Sequence, residues 1–139
     1  MKRMLAAALS AALLIAASGC ALTESLDDRA MAVWEVAPQQ QLDESSTTVD
    51  VLVTRLGCNS GVTGTVNEPT VSVVDTEAVI TFTVSPGQPE AAECQGNDQV
   101  PYELALPQPL GELTLIDGAC DTTEARGTVY CESAVRYAP

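Results

Sequence analysis

The sequence contains no histidine, and its one lysine is Lys2. Nucleophile–histidine catalysis therefore has no base, and a serine–lysine dyad has no partner beyond the first residues of the chain. Zinc sites of the usual kind need histidine or free thiolates, and no glycine-rich phosphate loop occurs. Only five aromatics are present: Trp34, Phe82, Tyr102, Tyr130 and Tyr137. That is too few for the stacked platforms of most sugar clefts. With 19 acids some carboxylates must lie close together, so a hydrolase built on paired carboxylates is only a third-ranked alternative. We expect no enzyme.

A long hydrophobic run is also missing. The one apolar stretch, Met4 to Ala17, is shorter than the about 20 residues that span a bilayer. It follows the basic Lys2-Arg3 and ends in Ala17-Ser18-Gly19-Cys20, the charge order and small residues of a secretory leader. The segment resembles the lipobox of bacterial lipoproteins, with Ser18 and Gly19 before the cysteine and Ala17 where leucine is usual. The resemblance implies a signal peptide over 1–19 and lipidation of Cys20. It also implies an extracytoplasmic protein whose membrane partner is reached through the lipid anchor. Two or more acyl chains on one residue anchor stably, whereas a single chain is marginal.

Cleavage before Cys20 would leave 120 residues, one domain's worth. Four arginines would then face nineteen carboxylates, a net charge of −15. Nucleic acid is excluded as a partner, because its binding rests on cations that neutralise phosphate. Docking on anionic headgroups is disfavoured for the same reason. A protein or other basic surface remains possible as a partner.

Residues 20–47 read as the lipidated cysteine and an acidic tether, with Asp27-Asp28, Gln39-Gln40-Gln41 and Asp43-Glu44-Ser45-Ser46. Within it, Leu26, Ala30 and Trp34 have helical spacing, while Ala32 to Val36 could instead form a strand. From Thr48 the period becomes two. Val49, Val51 and Val53 alternate with polar residues, and so do Ala78, Ile80, Phe82 and Val84. Shorter runs lie at Val71–Val74, Tyr102–Leu106, Leu113–Leu115 and Gly127–Glu132. Pro86-Gly87, Gly96-Asn97-Asp98 and Asp117-Gly118 supply turns. We expect residues 48–139 to form a single all-β domain, an immunoglobulin-like antiparallel β-sandwich.

Five cysteines are an odd number, and assigning Cys20 to lipid leaves four. Four cysteines allow three pairings. We favour Cys58–Cys94, joining a strand end to the loop after Phe82, and Cys120–Cys131, closing a short loop. An oxidising compartment permits both.

Cys94-Gln95-Gly96-Asn97, Val100-Pro101, Pro109-Leu110-Gly111 and Leu115-Ile116-Asp117-Gly118, with Arg55-Leu56-Gly57-Cys58 upstream, resemble a group of small actinobacterial lipoproteins and secreted proteins. The likeness covers roughly 49–120. It departs at Glu112-Leu113, where Asp-Arg would be expected. The resemblance implies a compact β domain with a Cys58–Cys94 bridge and carries no activity.

One loop remains as a candidate cation site. Asp117, Asp121 and Glu124 flank a glycine turn, and Ca2+ takes six to eight oxygens from such loops. The spacing is not that of an EF-hand. The leading expectation is a surface-anchored, non-enzymatic binding or accessory module; a calcium-stabilised envelope protein is the alternative.

Overall fold

A computed structural model of the chain describes residues 28–139. The expected leader and Cys20 lie outside them. Eight strands follow in order: β1 (Ala30–Val36), β2 (Thr48–Arg55), β3 (Thr65–Val66), β4 (Thr70–Val74), β5 (Glu77–Ser85), β6 (Val100–Ala105), β7 (Thr114–Asp117) and β8 (Val135–Tyr137). The domain is all-β with two disulfides, as expected. Among the described residues no helix is long and apolar enough to cross a membrane.

The long strand β5 organises the fold. Its first half pairs with β4 on one edge, from Val74↔Glu77 to Thr70↔Thr81, and with β7 on the other. Its second half pairs with β3 and with β1, the latter through Ala32↔Phe82 and Ala30↔Val84. β1 then leaves β5 and carries β2 and β6 with it, giving the order β6-β2-β1-β5-β7-β8. The β5–β7 pair is parallel, so the sheet is mixed rather than wholly antiparallel. The chain between these two strands visits β6 on the far side, a crossover long enough for parallel pairing.

Alternation dictates which face is buried. Val49, Val51 and Val53 of β2 and Ala78, Ile80, Phe82 and Val84 of β5 point into one core, joined by Leu104, Leu110 and Leu115. Three of the few aromatics stack there edge to face: Trp34 on Phe82 at 6.2 Å, and Phe82 on Tyr102 at 5.2 Å. Trp34 is buried fully because its indole Nε1 donates to the Ile80 carbonyl at 3.1 Å. Glycine is obligatory at position 64. It has φ +91°, and a Cβ there would lie 2.4 Å from the Ser85 carbonyl oxygen.

Two local expectations need correction. Residues 30–47, assigned to the tether on composition, belong to the domain. Alanine, valine and tryptophan bury β1 between two layers, and the β1–β2 connection is tied down by side chains that imitate backbone. Gln40 brackets Asp50, accepting from its N–H at 3.0 Å and donating to its carbonyl, and Asp43 accepts from Ser45 N at 2.8 Å. The expected strand over Gly127–Glu132 is instead a 3-10 turn, Val129–Cys131, and the last strand lies at β8. Gly127 at φ +88° and the bond from Cys131 N–H to the Thr128 carbonyl coil this segment on itself.

Residues 118–134 fold back as a strap across the outer face of β1. A second, smaller core forms beneath it from Val33, Leu56, Ala119 and Ala125, with Met31 and Cys131 against them. β1 is therefore covered on both faces over Ala32–Trp34.

Candidate functional site

Three fastenings hold the strap and the loop beside it. Cys120–Cys131 closes the strap, and Cys58–Cys94 closes the neighbouring loop, the pairing expected from the sequence. The third fastening is Asp117, at the end of β7 where β1 and β7 part. Its side chain is wholly buried. The carboxylate accepts from Trp34 N at 3.1 Å, Ala119 N at 3.0 Å and Arg136 Nη2 at 2.8 Å. These donors come from β1, the start of the strap and β8, so one side chain joins three segments. Burial pushes the Asp117 carboxyl up from the ordinary carboxylate range, opposed by the Arg136 ion pair and the two amide bonds.

This corrects the expectation of a calcium loop over Asp117, Asp121 and Glu124. Asp117 is spent on Arg136 and two amides, while Asp121 and Glu124 are exposed on the strap. Among the described residues no group of three or more histidine, cysteine, aspartate or glutamate side chains is placed to hold a metal ion.

A second buried cation stands without a carboxylate. Arg55, at the end of β2, is 2% exposed. Its Nε donates to the Thr63 carbonyl at 3.1 Å, Nη1 to the Gly87 carbonyl at 3.2 Å, and Nη2 to the Pro86 carbonyl. Burial lowers its guanidinium from the ordinary value. Arg55 is thus a clamp that draws two loops onto β2. With Arg55 and Arg136 committed inside, Arg29 and Arg126 are the cations left among the described residues. They face sixteen carboxylates besides Asp117, so the surface is more acidic than composition alone suggests.

Two clefts share Tyr130, one on the outer face of β1 and β2 and the other beyond the end of β2. The first, about 180 Å³, lies over Glu35, Leu52 and Thr54, with Gln99, Val129 and Arg136 as walls. The second, about 230 Å³, runs past Gly57 and the Cys58–Cys94 bridge to Asn97 and Thr128. Tyr130, common to both linings, and Val129, in the first, are exposed apolar groups, 45% and 76% accessible. Glu35 Oε1 accepts from Gln99 Nε2, which links β1 to the segment entering β6.

Each cleft is lined by a residue that carries a polar atom closed to solvent and without a protein partner. In the first it is Arg136 Nε, a donor; in the second it is Asn97 Oδ1, an acceptor. The Asn97 orientation is fixed by its other end, where Nδ2 donates to the carbonyls of Arg55 at 3.1 Å and Gly57 at 2.8 Å. Sequence reasoning placed Asn97 in a loop but missed Glu35, Gln99, Tyr130 and Arg136 as neighbours. Arginine scarcity is the available signal: with four cations among the described residues, each one invites a structural reason. No family model, curated protein or solved structure matches the chain.

Proposed function

We propose that the chain is a lipid-anchored envelope protein, held outside the cytoplasm by Cys20 and acting as a non-enzymatic binding module. The observation that carries this reading is the disposition of sulfur. Two bridges consume Cys58, Cys94, Cys120 and Cys131, leaving the cysteine of the leader junction as the odd one. The likeness of Ala17-Ser18-Gly19-Cys20 to a lipobox supports the same assignment, as does the likeness of residues 49–120 to small actinobacterial lipoproteins.

Cys20 precedes β1 by ten residues. Even fully extended, that length reaches only about 35 Å. The anchor therefore keeps the domain close to the membrane, and the acidic surface turns it away from anionic headgroups. Recognition falls to the clefts beside Tyr130, where polar groups and exposed apolar side chains lie on a frame stapled by disulfides. The test is Cys20→Ser. The wild-type chain should partition with membranes and incorporate an acyl label, and the variant should do neither. Equal membrane partitioning and labelling of the two would refute the anchor.

A further inference from the structure

We infer that the Cys120–Cys131 bridge is a redox latch. A thiol reductant opens it at Cys131, Cys120 leaves as the thiolate, and residues 121–130 come away from β1 while the rest of the domain stays folded. The inference depends neither on the lipid anchor nor on recognition in the clefts. Between the two cysteines only Ala125 is buried. The hydrogen bonds of this segment, such as Arg126 N–H to the Thr122 carbonyl and Thr128 N–H to the Ala125 carbonyl, stay within the strap. The exception is the Tyr130 carbonyl, which accepts from Arg136 Nη2 at 2.8 Å. One buried methyl group offsets little of the entropy lost in ordering the whole segment, so the bridge is its main hold on β1. Cys120 is held independently. It lies buried in the Gly118–Asp121 turn, where Ala119 N–H is bonded to Asp117. Opening therefore frees the Cys131 side and leaves Cys120 in place.

The two sulfurs are unequal. Cys120 is 9% exposed and Cys131 is half-buried, so an incoming thiol reaches Cys131 more readily. Arg136 Nη2 donates to Cys120 Sγ at 3.6 Å, and among the described residues no comparable donor reaches Cys131 Sγ. A thiolate beside a guanidinium is the better leaving group. Asp117 shares this guanidinium and opposes the effect, while Asp121 and Glu132, each next to a bridge cysteine, are exposed. Direct contact with the sulfur decides in favour of Arg136. In the exchange, a thiolate bonds to Cys131 Sγ as the S–S bond breaks, and the electron pair leaves on Cys120 Sγ. A second thiolate attacks the reductant's sulfur in the mixed disulfide, which frees Cys131 and oxidises the reductant to its own disulfide. Both protein thiolates can take protons from water. Thr128, Val129 and Tyr130 wall the clefts, so an opened strap takes both apart.

The whole chain, purified as the cell produces it in zwitterionic detergent, can be treated briefly with 2-mercaptoethanol, quenched with acid and mapped by peptide mass spectrometry. Mixed disulfide on Cys131 should exceed that on Cys120 about fivefold or more. Arg136→Gln should slow opening of this bridge about threefold or more, with Cys58–Cys94 as the internal reference, and Arg136→Lys should recover part of the rate. A merely structural arginine predicts the reverse, because a loosened strap opens faster. Cys120→Ser combined with Cys131→Ser mimics the open latch and keeps the other bridge. In that variant hydrogen exchange at 121–130 should rise about tenfold or more, while β2 and β5 stay protected. Adducts shared evenly or favouring Cys120 would overturn the inference, as would a rate unchanged or raised by Arg136→Gln. A strap that stays protected in the double variant, or β2 and β5 losing protection along with it, would do the same.

Discussion

Replacing Asp117 by alanine should be among the most damaging single changes in the domain, and its cost can be worked from three contacts. The substitution strands the Trp34 and Ala119 amides, and a buried N–H left unpaired costs about 1–3 kcal/mol. It also leaves the Arg136 guanidinium, 12% exposed, without its counter-ion. Removing one partner of a buried pair costs about 3–5 kcal/mol, and we expect Asp117→Ala to fall in that range. Arg136→Met should cost less, about 2–3 kcal/mol at neutral pH, because Asp117 keeps both amide donors and can take up a proton. The pH dependence separates the two. The Asp117 carboxyl is raised above its ordinary 3.8, so the folded state binds the extra proton. Its contribution is fully present below that value and is lost as pH rises through the raised one. Arg136→Met removes a group that opposes the rise, so this variant should regain stability as pH falls from neutral toward 3.8. Asp117→Ala should show no such recovery. Urea unfolding followed by Trp34 fluorescence is the assay, since the sole tryptophan is buried and bonded to this carboxylate. A cost below about 1 kcal/mol for Asp117→Ala would refute the junction role, as would pH profiles of the same shape for the two variants.

The remaining predictions concern staples and turns. By loop-closure entropy, removing Cys58–Cys94, with a separation of 36, should cost about 3.8 kcal/mol, and removing Cys120–Cys131, with a separation of 11, about 2.8 kcal/mol; denaturant midpoints of the paired serine variants should rank in that order. Gly64→Ala should lower the melting temperature measurably, because the new Cβ meets the Ser85 carbonyl and φ is +91°. Arg55→Met should destabilise by about 2–4 kcal/mol, since three loop carbonyls lose their donor at once; proteolysis should then begin near Gly87. Asp43 runs opposite to Asp117: hydrogen bonds from Ser45 and Ser46 hold its carboxyl low, so whatever stability it lends is present above 3.8 and lost as pH falls through the lowered value. Comparing Asp43→Asn with wild type across that window tests the sign.

The strands that read clearly in the sequence bury one face and wet the other. Val49, Val51 and Val53 and the Ala78–Val84 alternation carry a period of two because only their inner side meets the core. β1 was harder to read for the opposite reason. The strap covers its second face, so Ala32, Val33 and Trp34 are all buried and the period disappears. Polar neighbours such as Gln40 and Asp43 have the composition of a tether, although their side chains bond to backbone of the β1–β2 connection and of β2. Asp117 looked like a cation ligand because its turn glycine and nearby carboxylates are adjacent in sequence. Its true partners are 83 residues before it, at Trp34, and 19 after it, at Arg136. The parallel β5–β7 pair was likewise invisible, since no local pattern records strand direction.

Sulfur accounting is the common root of the anchor and of the folded domain, and intact mass spectrometry of the native protein tests it directly. We predict a chain beginning at Cys20 that carries acyl groups on that residue and gains the mass of two reduced bridges on treatment with thiol. An unmodified thiol at position 20, a retained leader, or a chain whose mass does not change on reduction would contradict it.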